Sequence, residues 1–263
     1  MLKTKRLSIL IALTLALVLT ITGCTSTTSG GDNESKDSDK IKVAFIPQIV
    51  GIPYFTAMEE GAKKAAEEFG VEFIYSGPVE VSAAEQSKIM DSLIRQEVDA
   101  IAVSVLDSSS INPMIKKAKE AGLHPFTTDS DSPDSEREVY VAQALDKDLG
   151  YTLIDRLAEQ LGGKGDIGIV SGDPTATNLN TWIKYMQERI EEKYPELNIL
   201  DIRYATTSEQ SLKQAQELMI KYPDIDGLIA VASINIPGVA QAVEQAGKAG
   251  EIAVIGYGSP NTV

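Results

Sequence analysis

From Ile41 onward, short β-branched runs alternate with longer amphipathic stretches, and the whole alternation occurs twice. Strands are predicted at residues 42–46, 72–75, 100–103 and 125–128, with helices at about 56–69, 82–96 and 111–121 between them. The order then recurs, with strands at 166–171, 199–204, 227–231 and 253–257 and helices at about 178–193, 208–221 and 237–246. First strand to fourth spans 82 residues in one half, Lys42 to His124, and 87 in the other, Asp166 to Ala253. Strands that alternate with helices in this way form parallel sheets. These strands are apolar nearly throughout, as suits a parallel sheet covered by helices on both faces. The expected fold class is α/β, with two similar doubly wound lobes at residues 41–141 and 142–257 joined by a hinge.

The helix ends carry their own signals. Gly70 and Gly122 stand where a glycine just past a helix is expected, and Ser82-Ala83-Ala84-Glu85 and Thr207-Ser208-Glu209-Gln210 match capping boxes. Met58, Ala62, Ala65, Ala66 and Phe69 form an apolar stripe at helical spacing. Residues 139–141, a plausible strand, and a helix at about 149–161 behind Asp148 join the two halves. The second half stops six residues past Tyr257. Completing sheets of this kind takes about 50–90 further residues, at roughly 30 per βα unit. Residues 258–263 are therefore expected to begin a hinge return in a truncated sequence.

The other constraint lies at the N-terminus. Lys3, Lys5 and Arg6 precede an uncharged apolar run over residues 7–21, the layout of a secretory signal. The run is barely long enough to span a bilayer, which takes about 20 residues. Ile21-Thr22-Gly23-Cys24 resembles a bacterial lipobox, so residues 1–23 are expected to be a lipoprotein signal peptide, with Cys24 lipidated after cleavage. Residues 24–40 are polar, without an apolar cluster, and read as a flexible tether. The expected location is the outer face of the cytoplasmic membrane, with the lipid on Cys24 as anchor. Cys24 is the single cysteine, so no internal disulfide is available and the fold must rest on an ordinary core. Losing the leader leaves 21 basic residues against 38 acidic ones, with no basic cluster to neutralise phosphates. Nucleic acid is disfavoured as a partner.

In open α/β sheets, ligands bind beyond the carboxyl ends of the strands. With two such lobes facing each other, the loops after the strands line a cleft. After the first strand, Gln48 supplies an amide and Tyr54 and Phe55 two adjacent aromatics, suited to hydroxyls and to the C–H face of a sugar, although both rings could equally pack in the core. Asp129 follows the fourth strand, where a carboxylate can accept polyol hydroxyls. Asn178 opens a helix after Ser171, as cap or ligand contact, and Trp182 could stack on a ligand or fill the core. Ser233 closes the ring as a hydrogen-bond candidate.

These residues resemble a known group, the type I periplasmic binding proteins of ABC importers, in the autoinducer-2-binding and rhamnose-binding branch. The resemblance rests on Val43-Ala44-Phe45-Ile46-Pro47 with Val50-Gly51 and Tyr54-Phe55, and on Tyr75-Ser76-Gly77-Pro78. It extends through Thr128-Asp129-Ser130-Asp131, Pro174-Thr175-Ala176-Thr177-Asn178 with Trp182, and Ile255-Gly256-Tyr257 with Pro260-Asn261. It implies a monomeric solute-binding protein that closes on a small sugar or autoinducer-2 and delivers it to ABC permease subunits. Departures bear on the ligand: Gln48 stands where autoinducer-2 receptors carry Lys, Asn178-Leu179 where they carry Asp-Gln, and Val231-Ala232-Ser233 where they carry Pro-Asp-Ala. A rhamnose-type sugar is as well supported as autoinducer-2.

Catalysis lacks a constellation. Gly162-Gly163-Lys164-Gly165 has neither the Ser/Thr nor the spacing of a phosphate loop and reads as a turn. His124 reads as a packing residue, and Asp129 and Asp131 stand too close on one segment to flank a glycosidic bond. The run Asp129-Ser130-Asp131-Ser132-Pro133 fails as a calcium loop because Pro133 occupies a ligand position. No enzyme, metal or cofactor is expected. A sugar-responsive repressor shares the two-lobe core, but the leader and lipobox stand where its helix-turn-helix would be. A sensory role, presenting the ligand to a membrane receptor, remains the alternative to uptake.

Overall fold

The computed structural model describes residues 40–258. The expected signal peptide, Cys24, all of the expected tether but Lys40, and residues 259–263 lie outside the described residues.

The first half runs β1 (Lys42–Ile46), α1 (Pro53–Phe69), β2 (Glu72–Tyr75), α2 (Ala83–Arg95), β3 (Ala100–Val103), α3 (Ser108–Glu120), β4 (His124–Thr128) and β5 (Tyr140–Val141). Its strands form one parallel sheet in the order β2-β1-β3-β4-β5. The second half runs α4 (Asp146–Leu161), β6 (Lys164–Ser171), α5 (Thr177–Lys193), β7 (Glu196–Tyr204), α6 (Ser208–Lys221), β8 (Gly227–Ala230), α7 (Asn235–Gln245) and β9 (Ala253–Gly256). Its parallel sheet has the order β7-β6-β8-β9. Each sheet therefore starts at an inner strand and reverses direction beside it, which opens a crevice at the carboxyl ends.

Alternation along each strand feeds two cores, because successive side chains leave opposite faces of a sheet. In the second lobe, Ile167 and Ile169 join Leu153, Leu157, Trp182 and Met186 under α4 and α5. Val170, Leu228 and Ala230 join Leu218 and Val239 under α6 and α7. In the first lobe, Ala44, Ile46, Ile101 and Val103 pack beneath α2 and α3 with Met90, Leu93, Ile111 and Ile115. The other face has α1 alone among the described helices, with Phe45, Phe55 and Ala102 buried and Phe73 and Phe126 partly so. The apolar stripe of α1 is only half engaged: Met58, Ala62 and Ala66 are partly buried, Ala65 is exposed, and Phe69 is 74% exposed.

Several helices begin earlier than expected. Pro53 starts α1 from within its first turn, where its missing N–H costs nothing. Asp107 caps α3, accepting from the Ser110 N–H at 2.8 Å, so the helix begins at Ser108 and not at 111. α4 begins at Asp146, with Asp146 and Asp148 favourably placed in its first turn. In α3 and α4 a polar first turn precedes the apolar periodicity, whereas α1 opens on Pro53-Tyr54-Phe55 with Phe55 already buried. Of the two capping boxes, Ser82 accepts from Glu85 N–H and Thr207 from Gln210 N–H. The return bond of Gln210 reaches Thr206 N–H, one residue upstream of the cap. The expectation for His124 is overturned: its side chain is 69% exposed, with Nδ1 at 3.1 Å from Glu138, because β4 starts at the rim of the sheet.

Candidate functional site

The carboxyl ends of the two sheets face a common cavity of about 260 Å3. That lies just under the usual range of about 300–1,000 Å3 for small-molecule sites and suits one small molecule. Gln48, Tyr54, Phe55 and Asp129 line it from the first lobe, and Asn178, Trp182 and Ser233 from the second. All seven residues singled out from the sequence thus border one cavity.

Asp129 is the centre of its polar side. It follows β4 with φ +65°, a left-handed conformation that Asp tolerates better than most side chains. It is 4% exposed. Tyr54 Oη donates to Oδ1 at 2.5 Å, Gln143 Nε2 to Oδ1 at 3.2 Å, and Ser104 Oγ to Oδ2 at 2.6 Å. An ionised carboxylate offers about four acceptor positions, so one remains for a ligand hydroxyl. Burial pushes the Asp129 carboxyl above its ordinary range, against the hydrogen bonds from Ser104, Tyr54 and Gln143, which favour the ionised form. Burial and the Asp129 charge raise the Tyr54 phenol far above its usual value, so it stays protonated and donates.

Phe55 contributes an edge to the cavity but belongs chiefly to the core, 3% exposed and 6.5 Å from the Phe45 ring. Trp182 does both jobs weighed for it. It is 6% exposed within the second-lobe core, and it also borders the cavity. Its Nε1 donates to Asp146 Oδ1 at 2.7 Å, and Tyr257 packs edge-on against it at 5.8 Å. Asn178 is 7% exposed and sits in the first turn of α5. Gln48 Nε2 donates to Val105 O at 2.9 Å and reaches Asn178 Oδ1 across the cleft at 3.4 Å.

The sequence reading passed over Ser104, Gln143, Thr206 and Leu106. Each follows a strand, so the rule that selected Asp129 would have found them had it been applied after β3, β5 and β7. Beneath the site, Gln86 is 1% exposed and ties two of these loops together. Its amide donates to Pro47 O at 3.1 Å and Ser104 O at 2.7 Å and accepts from Leu106 N–H at 3.2 Å. Asp131 is engaged elsewhere, held by Arg137 at 2.5 and 2.7 Å and by Thr127 Oγ1 at 2.5 Å. Among the described residues no cluster of three His, Cys, Asp or Glu side chains is arranged to hold a metal ion.

Among curated proteins, the chain is 25% identical over 248 residues to the D-ribose/D-allose-binding protein of Pseudomonas aeruginosa, covering 90% of this chain and 76% of that one. It is 26% identical to the xylitol-binding protein of Mycolicibacterium smegmatis, covering 87% of this chain and 64% of that one. Among solved structures, it superposes at TM-score 0.80 on LsrB from Clostridium saccharobutylicum in complex with AI-2, with 28% identity, 84% of this chain and 72% of that one covered. An ABC transporter solute-binding protein from Clostridium phytofermentas with bound L-rhamnose gives TM-score 0.81 and 28% identity, covering 85% of this chain and 70% of that one. The periplasmic binding protein domain family matches residues 43–263. Nearly all of the two-lobe core lies in that match, so the chain belongs to the periplasmic binding proteins, a family of binders and not of enzymes.

Proposed function

We propose that this protein is an extracytoplasmic solute-binding lipoprotein of an ABC importer that takes one small sugar or sugar-like polyol between its lobes. The observation that carries this reading is Asp129, buried at a strand end, bonded by donors from three segments and bordering a cavity of one-sugar size. The ligands named for its relatives, ribose, allose, xylitol and L-rhamnose, support a monosaccharide-sized polyol. A ligand touching Asp129 on one lobe and Asn178 on the other favours the closed form, which docks on the permease. The lipid on Cys24 would hold the monomer at the outer face of the cytoplasmic membrane.

The second reading, a receptor that presents AI-2 to a membrane partner, is supported by the 28% identity to the AI-2 complex. Gln48 and Leu179 stand against it, as departures from the autoinducer-2 pattern. Titration calorimetry of the full-length protein with pentoses, hexoses, 6-deoxyhexoses and AI-2 tests both. A sugar should bind at one site, and Asp129→Ala should weaken it by about 2 kcal/mol, roughly thirty-fold, as for a buried charged hydrogen bond. Binding of AI-2 alone selects the second reading, and unchanged affinity in the variant removes Asp129 from the site.

A further inference from the structure

We propose that the ligand is an uncharged sugar without the terminal hydroxyl of a hexose, that is, a pentose or a 6-deoxyhexose, and that Leu179 is the residue that selects it. The proposal rests on the sugar-binding reading above and narrows it to one class.

Hydrogen-bonding groups line the cavity from both lobes, but the second lobe sets an apolar stretch among them. Asp129, Tyr54, Gln48 and Gln143 come from the first lobe and the crossover that follows it. The facing wall sets Asn178 and Ser233 beside the apolar Ala176, Leu179, Val231 and Ala232. Apart from those of Asn178 and Ser233, the polar side-chain atoms of that wall are largely engaged. Trp182 Nε1 donates to Asp146, Tyr257 Oη donates to Leu149 O at 2.7 Å, and Asp173 Oδ1 accepts from both the N–H and hydroxyl of Thr175. Thr206 gives its N–H and its hydroxyl to Gln210 Oε1 at 2.9 and 3.1 Å. A sugar seated here can bond Asp129 on one lobe and Asn178 on the other, and meets hydrocarbon where it faces Leu179.

Leu179 is a fixed part of that hydrocarbon. It is 6% exposed and packed with Trp182 and Ile183. It lies so close over Gly172 that a Cβ on that glycine would stand 2.6 Å from Leu179 Cδ1. The side chain cannot withdraw on that side to admit a hydroxymethyl group. A hydroxyl pressed against it loses its water without gaining a partner, which weakens binding about ten-fold or more. Charge sets the second limit. Among the described residues that line the cavity there is no Lys, Arg or His, while Asp129 lies buried in it and feels the charge of Asp146. A carboxylate or phosphate on the ligand would meet like charge with no counterion.

Calorimetry on the full-length protein with matched pairs decides the matter: D-ribose against D-allose, D-xylose against D-glucose, L-arabinose against D-galactose, and L-rhamnose against L-mannose. D-Glucuronate and D-galacturonate serve as acids. In whichever pair binds, the member lacking the terminal hydroxyl should bind at least about ten-fold tighter, and neither acid should bind. Leu179→Gln should shrink or reverse that ratio, and Leu179→Met, apolar and of similar volume, should keep it. Melting curves of both variants verify that they are folded; where Leu179→Gln does not fold, the smaller polar Leu179→Asn takes its place and should likewise shrink or reverse the ratio. A hexose bound as tightly as its partner, an acid bound at all, or a ratio unmoved in folded Leu179→Gln overturns the proposal while sugar binding stands. Binding by no member of any pair overturns the sugar reading itself.

Discussion

Asp129 holds two opposed properties in one side chain. Its folded-state pKa is raised, chiefly by burial, so between the unfolded value of about 3.9 and the folded value the native chain keeps a proton that the unfolded chain has lost. The stability tied to that proton is complete below the unfolded pKa and is lost as pH rises through the folded one. Ligand binding runs the other way, because a hydroxyl donor needs the ionised acceptor. Affinity should therefore fall as pH drops through a range that begins above the ordinary carboxylate value, while the ligand-free fold gains stability. Asp129→Asn should raise the melting temperature at pH 7, weaken ligand binding about ten-fold or more, and flatten both pH profiles. Calorimetric and melting data from pH 4 to pH 8 check the signs, and a less stable Asp129→Asn at pH 7 would contradict the assignment. Asp129 was legible in the sequence because it is the first carboxylate after the apolar run of the fourth strand, where ligands of open α/β sheets bind. Ser104 and Gln143 carry no such mark, since a serine or glutamine becomes informative only once its partner is known. His124 was misread because a place beside a strand suggested packing, whereas the first residue of β4 lies at the rim of the sheet, exposed beside Glu138.

Between elements, the positions of the site residues depend on how closely α4 and α5 approach. At Gly150 in α4, an added Cβ would stand 2.6 Å from Trp182 O and 2.7 Å from Tyr185 Cβ, both on α5. Alanine has the higher helix propensity by about 1 kcal/mol, yet overpacking a tight contact costs about 1–3 kcal/mol. The second effect wins where backbone is the obstacle. Gly150→Ala should lower stability by about 1–2 kcal/mol in urea unfolding and weaken ligand binding several-fold, since displacing α5 carries Asn178, Leu179 and Trp182 with it. Unchanged affinity would show that α5 does not transmit the displacement. Strand and helix order was readable here from periodicity alone, and most strands fall within a residue or two of expectation. Three helix starts were not, since α1, α3 and α4 each begin three residues ahead of expectation, whereas the capping signals placed the starts of α2 and α6 to within a residue.

Across the whole molecule, the lobes meet through bonds that also frame the site. Thr177 N–H donates to Leu106 O at 2.9 Å, and Ser108 N–H donates to Thr177 Oγ1 at 3.3 Å. Leu106 itself belongs to the second-lobe core. The crossover between β5 and α4 touches both sides of the cavity, with Gln143 on Asp129 and Asp146 on Trp182. Thr177→Val keeps the shape and the backbone bond but removes the acceptor for Ser108. It should favour open lobes, seen as a larger radius of gyration in small-angle scattering of the ligand-free protein, and lower affinity about three- to ten-fold. A variant with wild-type scattering and affinity would remove this contact from the closure equilibrium. The bonds between Ser108 and Thr177 and between Gln48 and Asn178 join residues 69 or more positions apart along the chain, beyond the reach of any local pattern.

The alternation of apolar runs with amphipathic stretches, repeated at nearly equal length, by itself determined two parallel sheets and therefore the strand ends at which a ligand can sit. That information is local, because a strand's period of two and a helix's period of 3.6 residues are set by backbone geometry within a few residues. The tertiary structure alone decided which loop residues become partners. It gave Asp129 three donors from three different segments, turned Leu179 and Trp182 into a hydrocarbon wall, and left the outer face of the first sheet with one helix among the described residues. Those outcomes depend on how preformed elements pack, and packing is decided by shape and burial between residues that no sequence spacing connects.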